Sequence, residues 1–160
     1  MPEPIKLVFL LVVVNGAPIM ARRLLGERLS QPLDGGLRLT DGRRLFGDSK
    51  TWRGFVAGML GGAIAAPLLG YPALTGIAFG LLAMLGDLAS SFVKRRLGLA
   101  PSSQTLGLDQ IPESALPLWF TRESTGLSSD QIWTIVALFI LAELFISRVL
   151  FILGIRKRPY

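Results

Sequence analysis

Long apolar runs separated by short charged segments are the first feature of this chain. Four runs stand out, roughly Ile5–Ala21, Phe55–Tyr71, Pro72–Val93 and Ile132–Leu153. Each has about the 17–25 residues that an α-helix needs to cross a bilayer. A fifth segment, Ile111–Thr121 (IPESALPLWFT), is shorter and carries Glu113. Its length alone predicts a re-entrant or interfacial helix. Glycines at 54, 58 and 62, and at 76 and 80, recur every four residues, the spacing by which small residues let membrane helices pack closely. Asn15-Gly16-Ala17-Pro18 interrupts the first run. It reads as a packed kink or as the lining of a lipid groove, with Asn15 the groove candidate.

Charge adds an orientation. The chain of 160 residues is 51% hydrophobic yet carries a net charge of +6, the profile of an integral membrane protein with basic loops. The first run is preceded by little positive charge and followed by Arg22 and Arg23. That is the reverse of a signal peptide, so it reads as a retained membrane helix. The loop Arg22–Arg53 holds eight Lys or Arg against four acids and is expected on the cytoplasmic side. The turn GYPAL is uncharged and expected outside. The third run returns to Lys94, Arg95 and Arg96, and the C-terminal IRKRPY is again basic. Placing both inside requires an even number of crossings between them, so the segment 109–122 is expected to cross as a short tilted helix. The expected fold class is therefore an all-α integral membrane protein. It would have about five transmembrane helices and an external N-terminus. Two cytoplasmic loops would form the site, in a single membrane-embedded domain spanning 1–160.

Composition narrows the chemistry. The chain has no cysteine and no histidine, which removes thiolate and imidazole catalysis and their metal sites. Carboxylates, Lys, Arg and hydroxyls remain. They gather in three clusters expected on one side of the membrane. The first is PLDGGLRLTDGRRLFGDSKTWRG, residues 32–54, which interleaves cations with Asp34, Asp41 and Asp48 and with glycines. Arg and Lys neutralise phosphate oxygens, aspartates can hold Mg²⁺, and glycines let backbone approach a ligand. A solvated loop against anionic lipid explains the arginines but not the aspartates. Gly42–Gly47 has P-loop glycine spacing, but Asp48 stands where the lysine belongs and no strand precedes it. The DG-x2-AR pattern of CDP-alcohol phosphotransferases also fails, because RRLF follows Asp41-Gly42.

The second cluster is GDLASSFVKRRLG, residues 86–98. Asp87, Ser91, Lys94 and Arg95 share one face if the helix continues through them. An interfacial Asp paired with a nearby cation is the plain alternative to a metal or phosphate site. The third is LGLDQIPES, residues 106–114, where Asp109 is either a helix cap or a site carboxylate and Glu113 follows one turn later. Glu143 inside the last run reads as a structural polar contact. Together the clusters fit phosphoryl or nucleotidyl transfer at the cytoplasmic interface. An anionic phosphate nucleophile needs no general base, so a histidine-free site can act by positioning and charge neutralisation.

The strings DGRRLFGDSKTWRG, GDLASSFVKRRLGL and LDQIPES, in that order, resemble the CDP-archaeol synthase family, one of the phosphatidate cytidylyltransferase-like CTP transferases. The resemblance implies about five membrane helices, which supports the crossing of the fifth segment that its length alone argues against, and a reaction of CTP with a membrane lipid phosphate giving a CDP-lipid and pyrophosphate. It implies Mg²⁺ as cofactor. Carried over by motif, Lys50, Asp87, Lys94 and Asp109 are the catalytic candidates. Arg43, Arg44, Lys50, Arg53, Ser91, Lys94 and Arg95 are the nucleotide- and phosphate-binding candidates. Asp87 and Asp109 are the expected metal ligands, with Asp41 and Asp48 as further options. The expected location is the cell (inner) membrane. The reading leaves room for a homodimer and calls for no nucleic acid. It leaves open a CDP-archaeol-like or a CDP-diacylglycerol-like product. The rival is a non-catalytic membrane protein that binds anionic lipid, or a small transporter subunit.

Overall fold

A computed structural model describes residues 1–100 and 105–155. The basic C-terminal segment from Arg156 onward lies outside the described residues. Among the described residues six helices follow one another: α1 Glu3–Leu25, α2 Trp52–Leu68, α3 Ala73–Arg96, α4 Gln110–Phe120, the single turn α5 Arg122–Thr125, and α6 Ser129–Ile152. Each apolar run thus becomes a helix, and polar residues outside the run cap the starts of α2 and α6. Thr51 caps α2 by accepting from the Gly54 amide at 3.2 Å. Ser128 and Gln131 form a reciprocal capping box on α6, satisfying two amides that the helix itself leaves open. The third helix continues three residues past the apolar run to Arg96. Its cations Lys94, Arg95 and Arg96 lie in the last turn, where the helix dipole favours them.

Helices α1, α3 and α6 are long and apolar enough to cross a membrane. Helix α2 has 17 residues. Helix α4 has 11 residues, about 16 Å at 1.5 Å per residue, roughly half the hydrocarbon thickness. Two contacts fix its direction. Lys94 meets Asp109, and a side chain at Gly86 would run into the Pro112 carbonyl and the Glu113 Cα. Going back along α3 is going forward along α4, so the two are antiparallel.

The glycine spacing is realised as backbone contact. Added methyl groups at Gly62 or Gly76 would each strike the other's carbonyl, and one at Gly80 would strike the backbone of Gly58 and Met59. Without a strong hydrophobic drive between helices in lipid, such close approach supplies the packing. Gly61 opens α2 to Ala17 and Val13 of α1 in the same way. Leu10, Leu11 and Val14 of α1, Phe79 and Ala83 of α3, and Ile132, Ile135 and Phe139 of α6 fill the interior. Ile64, Leu68, Leu141 and Phe145 face outward, as a hydrocarbon-facing surface requires.

Asn15 donates its amide to the Leu11 carbonyl at 3.0 Å, one turn back on α1. Pro18 lies inside the same continuous helix and packs against Gly54. At one end of the bundle, Tyr71 in the α2–α3 turn donates to Glu3 at 2.5 Å, and Lys6 pairs with Glu3 at 3.1 Å.

At the other end lies the loop from Gly26 to Thr51. Its two ends are stitched together: Leu33 N–H donates to the Lys50 carbonyl at 2.8 Å, and Trp52 N–H to the Gln31 carbonyl at 3.1 Å. A small hairpin forms inside it, Leu45 N–H donating to Leu37 and Leu39 N–H to Arg43, each at 3.0 Å. Its turn needs positive φ at Gly42, which is at +73°; glycine meets this without steric cost. The organising residue is Asp34. Its side chain is fully enclosed and accepts from the backbone amides of Gly36, Phe46 and Gly47 at 3.0–3.1 Å. It also takes Nε and Nη2 of Arg44 at 3.3 and 2.6 Å. Burial pushes the Asp34 carboxyl up, but the Arg44 guanidinium and the three amides outweigh it and hold the group well below the usual aspartate range. Stability from Asp34 is therefore present above its ordinary value near 3.9 and is lost only as pH falls through the depressed one.

Two predictions follow from this packing. Gly62→Ala should lower the thermal unfolding temperature of the detergent-purified protein, because overpacking at backbone contact costs about 1–3 kcal/mol. Gly16→Ala, where the added methyl meets open space, should not lower it. The amide resonances of Phe46 and Gly47 should stay constant as pH is lowered through the ordinary aspartate range. A titration midpoint near 4 would contradict the enclosed carboxylate.

Candidate active site

Two groups of charged side chains meet at the loop end of the bundle. The deeper one joins three elements. Lys50, at the end of the loop, places Nζ 2.6 Å from both oxygens of Asp87 on α3. Lys94, two turns beyond Asp87, is paired at 2.5 Å with Asp109 just before α4. Asp109 also accepts from the Thr105 amide at 3.0 Å, so the alternative of a cap on the following helix is not what its side chain does. Ser91 is buried between Asp87 and Lys94 on the same helix. The four catalytic candidates are thus brought together as two neighbouring ion pairs.

The second group ties the hairpin to the end of α3. Arg43 donates Nη1 to the carbonyls of Arg95 and Arg96 at the end of α3, where carbonyls lack full intrahelical partners. Arg96 returns the contact, reaching Asp41 at 2.7 Å and the Arg44 carbonyl at 2.6 Å. The hydrogen bond from the Arg43 amide lowers the Asp41 carboxyl; burial opposes it, and the contact with Arg96 lowers it further. Arg44 lies between Asp34 and Asp48, with Asp48 at 2.6 Å from Nη1, and these two carboxylates raise its already high pKa. A cavity of about 260 Å³ opens here, walled by Arg38, Arg43, Arg44, Asp48 and Arg95. Arg95 is buried, and its Nε meets no acceptor among the described residues. A buried N–H without a partner beside an arginine-lined cavity suits an anion.

Arg53 stands apart from both groups. Its guanidinium donates to the carbonyls of Gly26 and Arg28 at 2.5 and 2.8 Å, joining the start of α2 to the end of α1. Asn15 is about 15 Å along α1 from Leu25, at 1.5 Å per residue.

Reasoning from the sequence placed Asp34 among the cluster aspartates that could hold Mg²⁺ and Glu113 in the third cluster. It did not foresee Asp34 as the anchor of the loop or Glu113 as a buried neighbour of the ion pairs. Glu113 is buried, and Asp87, Glu143, Lys50 and Asp109 all face it electrostatically. The signal was Gly86: a glycine immediately before Asp87 marks the point where α4 comes close. For Asp34 the signal was the following Gly35-Gly36, since an Asp that bonds backbone two residues on favours such a turn.

Among the described residues no group of three acids is placed to hold a metal ion by itself. Asp41 and Asp48 are each engaged with an arginine of the loop system. Asp87 and Asp109 remain as two carboxylates in the deeper group. Mg²⁺ commonly takes one or two protein carboxylates with substrate phosphates completing its shell, so this donor set fits Mg²⁺ arriving with a polyphosphate.

Comparison with known proteins agrees with this geometry. The family model described as CarS-like, CDP-archaeol synthase, matches residues 5–160. A CDP-archaeol synthase of Thermofilum pendens is 36% identical over 154 residues, covering 92% of this chain and 76% of that protein. One of Thermococcus gammatolerans is 38% identical over 130 residues, covering 73% and 71%. A solved structure of an intramembrane enzyme for archaeal membrane lipid biosynthesis superposes with a TM-score of 0.71 at 33% identity, covering 88% of this chain and 89% of that one. The match extends through both charged groups and the helices that carry them, and the chain belongs to the CDP-archaeol synthase family of membrane-embedded nucleotidyltransferases.

Proposed function

We propose that this chain transfers the cytidylyl group of CTP to the phosphate of a membrane lipid, in a Mg²⁺-dependent reaction with the site facing the cytoplasm. The observation that carries the reading is the pair of lysine–aspartate contacts, Lys50–Asp87 and Lys94–Asp109, beside an arginine-lined cavity at the loop end of an apolar bundle. An oxygen of the lipid phosphate attacks the α-phosphorus of CTP. The bond from that phosphorus to the bridging oxygen breaks, and pyrophosphate leaves. The nucleophile is already anionic, so no residue need remove a proton.

Lys50 and Lys94 would exchange their aspartates for phosphate oxygens, and Arg43, Arg44 and Arg95 would receive the rest of the triphosphate. Asp87 and Asp109, released by the lysines, would hold Mg²⁺, which when bound neutralises charge on the phosphates. Arg53 would act at a distance, by fixing α2 against α1. The excess of Lys and Arg in the loop supports a cytoplasmic face, and with it about five crossings, in which the short α4 would cross with a locally thinned bilayer. The named relatives make the ether-linked isoprenoid lipid phosphate the first substrate to test, although the outward-facing side chains would accept fatty acyl chains as well.

Purified full-length protein in detergent should form a labelled CDP-lipid from α-labelled CTP and a panel of lipid phosphates. A chelator should stop the reaction and added Mg²⁺ restore it. Lys50→Gln and Asp87→Asn should each reduce turnover by about 10²–10³-fold, the effect of losing one electrostatic stabiliser of a transition state, with thermal unfolding checked alongside. Absence of both product and CTP binding in the wild type would end this reading.

A further inference from the structure

Arg44 is held by two carboxylates whose circumstances are opposite. Asp34 is fully enclosed and anchored by three backbone amides, and it takes the Nε–Nη2 side of the guanidinium. Asp48 takes Nη1 at 2.6 Å, but its side chain is 79% exposed. An ion pair whose carboxylate is exposed and unanchored is weak, whereas one to a carboxylate fixed by the backbone is not. The Arg44–Asp48 contact also stands in the wall of the cavity of about 260 Å³, among Arg38, Arg43 and Arg95. Asp48 is thus an acid in an otherwise cationic wall, and the more easily displaced of the two.

We propose that the Nη1 side of Arg44 is a phosphate subsite. Asp48 covers it until a phosphate group displaces the carboxylate, while Asp34 keeps the guanidinium in place. The inference rests on the nucleotidyl-transfer reading for its ligand, the phosphate of either CTP or the lipid. It makes the two carboxylates act with opposite sign. Asp34 is a positioning residue, so its loss loosens the subsite. Asp48 competes with substrate, so its loss strengthens binding. It also reassigns Asp48, since a metal-binding Asp48 would make Mg²⁺–CTP binding weaker on substitution.

The test titrates the full-length protein in detergent with CTP and, separately, with pyrophosphate by calorimetry, and measures KM for the lipid phosphate from turnover. Asp48→Asn should tighten binding about two- to fivefold, the strength of an exposed ion pair. The gain should vanish in an Arg44→Gln background, or in Arg44→Lys should the Gln variant fail to fold. Asp34→Asn should weaken binding of the same ligand and raise its KM more than it lowers kcat. A gain with CTP and pyrophosphate assigns the subsite to the triphosphate. A gain confined to the KM of the lipid assigns it to the lipid phosphate. Unchanged or weaker binding of every ligand by Asp48→Asn overturns the proposal, as does a gain that persists without Arg44. Failure of the underlying function would look different: no CTP binding and no product in any variant, with the Asp48→Asn gain on pyrophosphate intact.

Discussion

No charged group enters this bundle cheaply, and the Lys50–Asp87 pair is the contact on which the loop end depends. An ionised side chain in a membrane helix costs several kcal/mol near the centre. Asp87 lies nine residues before the end of α3, and the ammonium that meets it comes from the loop preceding α2. That pairing fixes where the loop must end. The same requirement is met by Lys94 and Asp109, which draw the start of α4 to α3. Removing one partner of such a pair leaves the other part-buried and uncompensated, a smaller form of the cost that a fully buried orphan charge carries. The pairs therefore specify how loop, α3 and α4 meet, whatever their net stabilisation.

The scaffold beneath them is held by contacts of a different kind. Glycines bring α2 and α3 to backbone contact at Gly62 and Gly76, and Gly86 does the same for α3 against α4 one residue before Asp87. A polar group placed next to a backbone-to-backbone contact has little freedom to move. Asp87 is thus positioned by its neighbour's lack of a side chain as much as by its own partner. The lysines differ: each reaches its aspartate from a flexible four-carbon stem, so the cations can move while the carboxylates stay.

The helices were legible in the sequence because apolar runs of membrane length admit few other structures. Their ends were less so. Thr51 and Ser128 lie outside the apolar runs, and the third helix carries its cations a full turn beyond the run. The shared face of Asp87, Ser91 and Lys94 was legible from helical spacing. The partners were not, because pairing across elements depends on how helices turn towards one another. Periodicity offered no means of telling Arg53, which joins α1 to α2, from Arg44, which lines the cavity. Both are arginines of one loop motif, and only their acceptors distinguish them.

The pairing also constrains how a nucleotide can enter. In the deeper group, two lysines face two aspartates, with Glu113 close by. Such a group has no excess of positive charge with which to attract a triphosphate. The excess lies in the arginines of the adjoining cavity, and attraction at a distance must come from them. Under the proposed function, phosphates that drew the lysines from the aspartates would leave two carboxylates facing a polyanion. That arrangement repels unless positive charge enters with the ligand. A divalent cation carried by the triphosphate would supply what the lysines remove. Nucleotide and metal would then enter together, because each would relieve the charge imbalance that the other creates alone.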